Sequence, residues 1–228
     1  AVGAITPEEL APMLEAIAES LPERNDLPET PEITFTVDGA FEPVLIDLPQ
    51  PQSLVRFLAP GLKREDPDFF TAYVVNYTYG GGGFGSRLME SLRVQKGLTY
   101  GVYTWLSFDD TYQNWGGSGQ TKNESVGEFV EALLAETALI AEEGITAEEL
   151  ADAKAYLTGS YPLAFDSNAK IAGQMMRVRQ DELGVDYFDR RNALIEAVTL
   201  EDANRVAAEF LQPDRFSFIM VGQPEGLD

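Results

Sequence analysis

Hydrophobic positions recur at helical spacing in some segments of the chain and alternate as in strands in others. Leu10, Leu14, Ile17 and Leu21 follow the capping sequence Thr6-Pro7-Glu8-Glu9, which predicts a helix from residue 7. Further helical patterns predict helices at about 67–79, 86–96, 124–143, 147–160, 166–181, 186–197 and 200–211. Extended patterns predict strands at 33–37, 43–48, 53–59, 99–108, 111–121 and 215–222.

These strands and helices occur in clusters and do not alternate strictly. The order favours an α+β fold with a largely antiparallel sheet and helices packed on one of its faces. The opening "AVGAITPEE" is similar to "IMVGQPEG" near the end, and both segments predict a strand closed by Val-Gly. We therefore expect residues 1–21 to be the tail of a preceding homologous domain, 22–32 a linker and 33–228 the domain itself.

Composition excludes several classes of function. The 228 residues include 16 basic and 38 acidic ones, and the net charge of −22 disfavours binding to nucleic acid or an anionic membrane. The same charge would attract basic peptides, or it serves solubility alone. Because the chain has no histidine and no cysteine, it cannot build a serine–histidine triad, an imidazole or thiolate metal site, or a disulfide. The sequence contains no run of 18 apolar residues, so it predicts no membrane span.

The stretch "GGGGFGSRLMESLRVQKGLTY", Gly80 to Tyr100, is the main candidate for a functional segment. Its glycines fit a dinucleotide fingerprint, but a helical pattern precedes them where that fingerprint requires a strand. Two interpretations remain. The glycines either form a tight helix–helix junction, or they leave backbone open for a ligand or a second domain to approach.

Arg93 and Tyr100 lie on either side of Gly97, which is expected to end the helix in a left-handed conformation. Arg93 would then lie in the last helical turn and Tyr100 at the start of the next strand, and both could face one side of the junction. The alternatives are that Arg93 caps helical carbonyls and that Tyr100 packs across the sheet.

Neighbouring side chains have ordinary structural interpretations. Phe84 could line a substrate pocket, although its four-residue spacing with Leu88 and Leu92 favours the core. Arg87 is expected on a solvated helix face. Both tryptophans, Trp105 and Trp115, could be platforms for substrate, but we interpret them as sheet packing.

The segment "GGGGFGSRLMESLRVQKGLTYGVYTW" resembles the glycine-rich L-R-x-x-x-G-L-x-Y region of the pitrilysin/insulinase family of zinc metallopeptidases. It is similar to the second, non-zinc half of these proteins, especially in bacterial members built from two homologous domains. The resemblance covers most of the chain, including "EELADAKAYLTGSYPLAFDSNAKIAGQM" and "VTLEDANRVAAEFLQPDRFSFIMVG".

The resemblance implies a role in proteolysis. In the family, the first half holds zinc through an H-x-x-E-H motif that this chain lacks, so we expect no metal site here and zinc in a homologous partner half. That half would be on the same polypeptide or a separate subunit. By the resemblance, Arg93 and Tyr100 are catalytic and Gly80, Gly81, Gly82, Gly83 and Phe84 bind the peptide substrate.

Alone, the chain should not hydrolyse peptides. The alternative implied by the family is a non-catalytic pseudo-peptidase domain that acts as a scaffold or binds a partner. The composition leaves both the periplasm and the cytoplasm open, and we favour the periplasm.

Overall fold

The computed structural model describes residues 1–23, 28, 31, 42–109 and 111–227. The strands are β1 (Val44–Asp47), β2 (Gln52–Pro60), β3 (Val102–Phe108), β4 (Gln113–Lys122) and β5 (Ser217–Gly222). The α-helices are α1 (Pro7–Ser20), α2 (Phe69–Asn76), α3 (Val126–Glu143), α4 (Ala147–Gly159), α5 (Asn168–Gln180), α6 (Tyr187–Glu196) and α7 (Leu200–Phe210). There are two π-helical segments, Tyr77–Gly81, which contains the first two glycines of the run, and Met89–Gln95, which follows it. The strand predicted at 33–37 lies outside the described residues.

The five strands form one sheet in the order β1-β5-β2-β4-β3. Only the pairing of β1 with β5 is parallel, so the predicted α+β fold with a largely antiparallel sheet is confirmed. The C-terminal strand β5 enters between β1 and β2 and bonds to both. The strand expected at the start of the chain is not seen, since residues 1–6 form no regular element.

The chain forms two compact units. Residues 32–158 and 191–228 make up the sheet unit, which contains all five strands. Residues 1–31 and 159–190 make up the helical unit. In the helical unit, α1 begins at the predicted capping box, in which Glu9 N–H donates to Thr6 Oγ1 and Thr6 N–H donates to Glu9 Oε2.

The core of the sheet unit lies on one face of the sheet, against helices. Val55, Phe57 and Ala59 alternate along β2 and are fully buried. Phe57 leaves no room on β4, because a Cβ at Gly117 would lie 2.0 Å from its ring. Phe129 of α3 packs in the same core. With the helices on this face, the alternate side chains of β2, β3 and β4 face outward.

Candidate functional site

The glycine run begins inside a helix. Gly82 N–H donates to Tyr77 O at 2.8 Å, which is the wider i→i+5 bond of a π-helix. The backbone packs tightly here, since a Cβ at Gly80 would lie 2.6 Å from Thr104 Oγ1 and one at Gly82 would lie 2.6 Å from Tyr77 O. At Gly83 the backbone enters the left-handed region, with a φ of 62° and open space around it. A Cβ at Gly81 would likewise lie 2.6 Å from Asn76 Nδ2, so close packing and a turn account for all four glycines.

The next helix carries Arg93 and ends as the sequence predicts. Gly97 has a φ of 65°, and its N–H donates to Arg93 O at 3.1 Å. Leu98 N–H donates to Leu92 O at 2.9 Å, which closes the helix end. The helix is wider than expected, because its Met89–Gln95 segment has π geometry. Arg93 therefore lies in the last helical turn, and Tyr100 lies two residues before β3.

Arg93 packs on Phe84. Its Cζ lies 4.4 Å from the centroid of the Phe84 ring, a cation–π contact at the surface. Leu88 and Leu92 are fully buried, as predicted, but Phe84 is 69% exposed and does not join them in the core. Gly83 and the short 3₁₀ turn Gly83–Gly85 rotate Phe84 away from the face that the four-residue spacing assigned to it.

Tyr100 lies at the rim of an open cleft. Its side chain is 84% exposed, so it contributes little to the packing of the fold. The cleft has a volume of about 420 Å³ and also includes Tyr103 and Trp105, while Arg93 is not among its lining residues. The two candidate catalytic side chains thus both reach solvent beside the same helix–strand junction, in different surroundings.

Strand β3, which follows Tyr100, forms an edge of the sheet. In the part of the chain that the structure describes, no strand pairs with its outer side. At the start of the strand, the Val102 N–H is buried and donates to Met89 Sδ at 3.4 Å, so this group is not open to a peptide. Beyond Val102, an extended peptide could pair with this edge.

Arg87 is not on a solvated face, contrary to the expectation from its helical position. Its Nε donates to Glu149 Oε1 at 2.6 Å and its Nη2 to Glu149 Oε2 at 2.7 Å, while Nη2 also donates to Gly144 O at 2.9 Å. This bidentate bond raises the pKa of Arg87. Burial raises the pKa of Glu149, but the bonds from Arg87 and Thr146 outweigh it and hold that pKa below its ordinary value. The contact ties the helix that carries Arg93 to the turn between α3 and α4.

A second carboxylate near this contact behaves in the opposite way. Burial raises the pKa of Glu136 above its ordinary value, and the nearby Arg87 guanidinium and a hydrogen bond from Ser91 only partly offset the rise. Glu136 and the Arg87–Glu149 pair line a shallow cavity of about 470 Å³.

The described residues contain no group of three or more acidic, histidine or cysteine side chains that could hold a metal ion. Within the same residues, no helix combines the length and apolar character that crossing a bilayer requires.

Comparison with known proteins places these features in a family. Residues 1–157 match the family model described as the peptidase M16 inactive domain. The chain belongs to this family. The match confirms the resemblance drawn from the glycine-rich segment and identifies the chain as an inactive M16 domain of zinc-protease-like proteins.

Two relatives and one solved structure show how far the similarity extends. The chain is 40% identical over 113 residues to the "non-peptidase homolog YmxG" of Helicobacter pylori, covering 49% of this chain and 26% of the relative. It is 31% identical over 179 residues to an "uncharacterized zinc protease" of Streptomyces coelicolor, covering 77% and 38%. The crystal structure of a peptidase M16 inactive domain from Pseudomonas fluorescens has a TM-score of 0.81 and 26% identity, covering 97% of this chain and 52% of that one.

The matched part of this M16 inactive domain spans much less than the whole of its relatives, namely 26% and 38% of the two curated proteins and 52% of the solved chain. The relatives' names also divide between peptidase and non-peptidase. The family assignment therefore establishes the fold and the inactive-domain character of this chain.

Proposed function

We propose that this M16 inactive domain completes the active site of a zinc-dependent metalloendopeptidase whose zinc lies in a homologous partner half. The chain binds the peptide substrate and supplies Tyr100 and Arg93. The observation that carries the proposal is the exposure of Tyr100, whose phenol stands 84% exposed beside the edge strand β3. A tyrosine that served only the packing of the sheet would be buried to a much larger extent.

The chemistry suits these two side chains. Zinc in the partner half would supply the Lewis acid that activates water for attack on a peptide carbonyl. The Tyr100 hydroxyl donates a hydrogen bond to the oxyanion that develops on that carbonyl, without bringing a charge into the site. The planar guanidinium of Arg93 binds a substrate carbonyl or carboxylate.

The surroundings of both residues support substrate binding. Phe84, which is exposed and stacked against Arg93, offers apolar contact area for the peptide and keeps the guanidinium oriented. The open space around Gly83 lets a peptide or the opposing half approach the backbone. The unpaired side of β3 offers main-chain groups to an extended substrate.

The test combines this chain with the zinc-bearing half and zinc, and measures hydrolysis of unstructured peptides. We expect Tyr100→Phe to lower kcat by about 10²–10³-fold, because one oxyanion donor is lost. Arg93→Ala should lower kcat/KM as well, through the loss of the substrate contact. Tyr112→Phe is the matched control, because it removes a phenol that is 40% exposed but lies outside the cleft.

Urea unfolding of each variant checks that the fold is retained. Wild-type turnover in Tyr100→Phe or Arg93→Ala would remove the role assigned to that residue. The Helicobacter pylori relative described as a non-peptidase favours the alternative of a partner-binding domain. That alternative predicts that the wild-type assembly binds peptides but does not cleave them.

A further inference from the structure

The open face of the sheet carries a cleft formed by aromatic side chains. Tyr103 and Trp105 are alternate residues of β3 and face outward, while Val102 and Thr104, which precede each of them, are buried on the helical side. The floor of the cleft comes from Leu54 of β2 and from Ser118 and Gln120 of β4. Tyr100 stands at its rim. We call this surface the sheet-face cleft.

The chemistry of the sheet-face cleft contrasts with that of the whole chain. None of its ten lining residues is Asp, Glu, Lys or Arg, although such residues make up 24% of the sequence. Three aromatic rings and one leucine supply the contact area, and Ser118 and Gln120 supply a few polar atoms. Concave surfaces of this composition bind apolar groups and orient them through a small number of hydrogen bonds.

Backbone packing holds the aromatic walls in place. The Trp105 indole lies directly on the backbone of its cross-strand partner, since a Cβ at Gly116 would be 2.8 Å from Trp105 Cε2. Arg56 lies over the same indole, with its Cζ 5.6 Å from the ring centroid. The Tyr103 ring lies against Gly101 in a similar way, since a Cβ there would be 2.8 Å from Tyr103 Cε2. Rings fixed beforehand lose little freedom when a ligand binds.

We propose that the sheet-face cleft is a subsite for an aromatic or large aliphatic side chain of a peptide that lies extended along β3. The proposal rests on the proposed function, which makes the occupant a peptide. A strand added beside β3 directs every second side chain to the same face as Tyr103 and Trp105. Such a side chain meets these two rings as a cross-strand neighbour, which favours aromatic and branched residues. A basic side chain would lose hydration here without gaining a partner, since none of the lining residues is acidic.

The binding step can be tested without catalysis, because the chain contains two tryptophans in different places. Trp105 lines the cleft, whereas Trp115 is fully buried in the core. The chain alone is titrated with N-acetyl-L-phenylalaninamide while both indole N–H resonances are followed by NMR, and Trp105→Phe assigns them. We expect a saturable shift at Trp105 and none at Trp115. N-acetyl-L-lysinamide should bind at least about tenfold more weakly.

Filling the cleft should abolish the shift of the Trp105 resonance on titration with the phenylalanine probe. Gln120→Trp places a large ring at an exposed position of the cleft, whereas Gln95→Trp adds the same ring on an exposed helical position elsewhere. We expect the first variant to lose the shift at Trp105 and the second to keep it. Equal binding of the two probes, or a wild-type titration that leaves Trp105 unshifted, would overturn the subsite even if Gln120→Trp failed to fold.

The outcome can be separated from that of the proposed function. In the assembly with the zinc-bearing half, peptides with Phe in place of Ala at a single position should be cleaved roughly 10–200-fold more efficiently, and Gln120→Trp should reduce that preference. Cleavage that depends on Tyr100 but shows no such preference overturns the subsite alone. Saturable binding at Trp105 without any cleavage supports the subsite and removes the catalytic proposal.

Discussion

At the scale of single residues, burial decides what a charged side chain does in this protein. Arg87 occupies a helical position whose sequence pattern is that of a solvated residue, yet it is bonded to both oxygens of Glu149. Arg93, six positions later, keeps its guanidinium at the surface against Phe84. The first arginine anchors the helix, and the second packs on an exposed aromatic ring. Sequence spacing alone did not separate these roles, because the partner of Arg87 lies 62 positions away.

Glu136 provides a test at the same scale. The pKa of Glu136 is higher in the folded protein than its ordinary value of 4.5, so folding favours the protonated carboxyl. The stability linked to this group is fully present below pH 4.5 and is lost as the pH rises through the raised pKa. Glu136→Gln should therefore raise the free energy of unfolding at pH 7. The gain should shrink below about pH 4.5, where the wild-type carboxyl is protonated in both states.

Urea unfolding at pH 7 and pH 4 measures this difference. Glu142→Gln on the same helix is the control, because it removes an equal charge from an exposed position and so reports the relief of general repulsion in a chain of net charge −22. The raised pKa of Glu136 would be contradicted if Glu136→Gln increased the free energy of unfolding at pH 7 no more than Glu142→Gln does. It would also be contradicted if the increase became larger toward pH 4.

At the scale of the elements, two π-helical segments frame the candidate site. Tyr77–Gly81 and Met89–Gln95 lie on the two sides of the short turn that carries Phe84. The widened bonds change which residues share a helical face, so that positions four apart no longer align in the usual way. The apolar pattern predicted helices at about 67–79 and 86–96, so it covered the second segment and stopped short of the glycines in the first. It contains no signal that distinguishes i→i+4 from i→i+5 bonding.

The end of the second helix gives a prediction at this scale. Gly97 has a φ of 65° and no atom within 4 Å of the position of a Cβ, so an alanine there would be strained by its backbone alone. Gly97→Ala should lower the free energy of unfolding by about 1 kcal/mol. Gly85 has equal space but lies outside the left-handed region, so Gly85→Ala should be neutral or stabilise by about 0.4–1 kcal/mol. Denaturant midpoints compare the two, and equal midpoints would refute the strain at Gly97.

At the scale of the whole molecule, the sequence predicted most elements and the fold class, but not the surface of the sheet. The strands of the 99–121 hairpin were predicted, and Trp115 lies in the core as expected. Trp105 lies on the opposite face, in the sheet-face cleft, because the register pairs it with Gly116, the neighbour of Trp115, and successive residues of a strand face opposite sides. The place of β5 between β1 and β2 also follows from long-range packing. Local patterns contain neither the register nor the strand order.

Among the described residues no strand pairs with the outer side of β3, and this has a consequence for the behaviour of the protein in solution. Unpaired strand edges join to one another when nothing opposes them, and here the opposing force at neutral pH is the repulsion between molecules of net charge −22. Near the isoelectric point of about 4.2 this repulsion disappears, and light scattering should then report the formation of soluble oligomers.

Ser107→Lys on β3 should suppress these oligomers more strongly than Gln95→Lys, which adds the same charge away from the strand. Equal scattering from the two variants would show that the edge is not the point of contact. At acidic pH, the strand edge that we propose to pair with substrate would thus become a contact between copies of the protein.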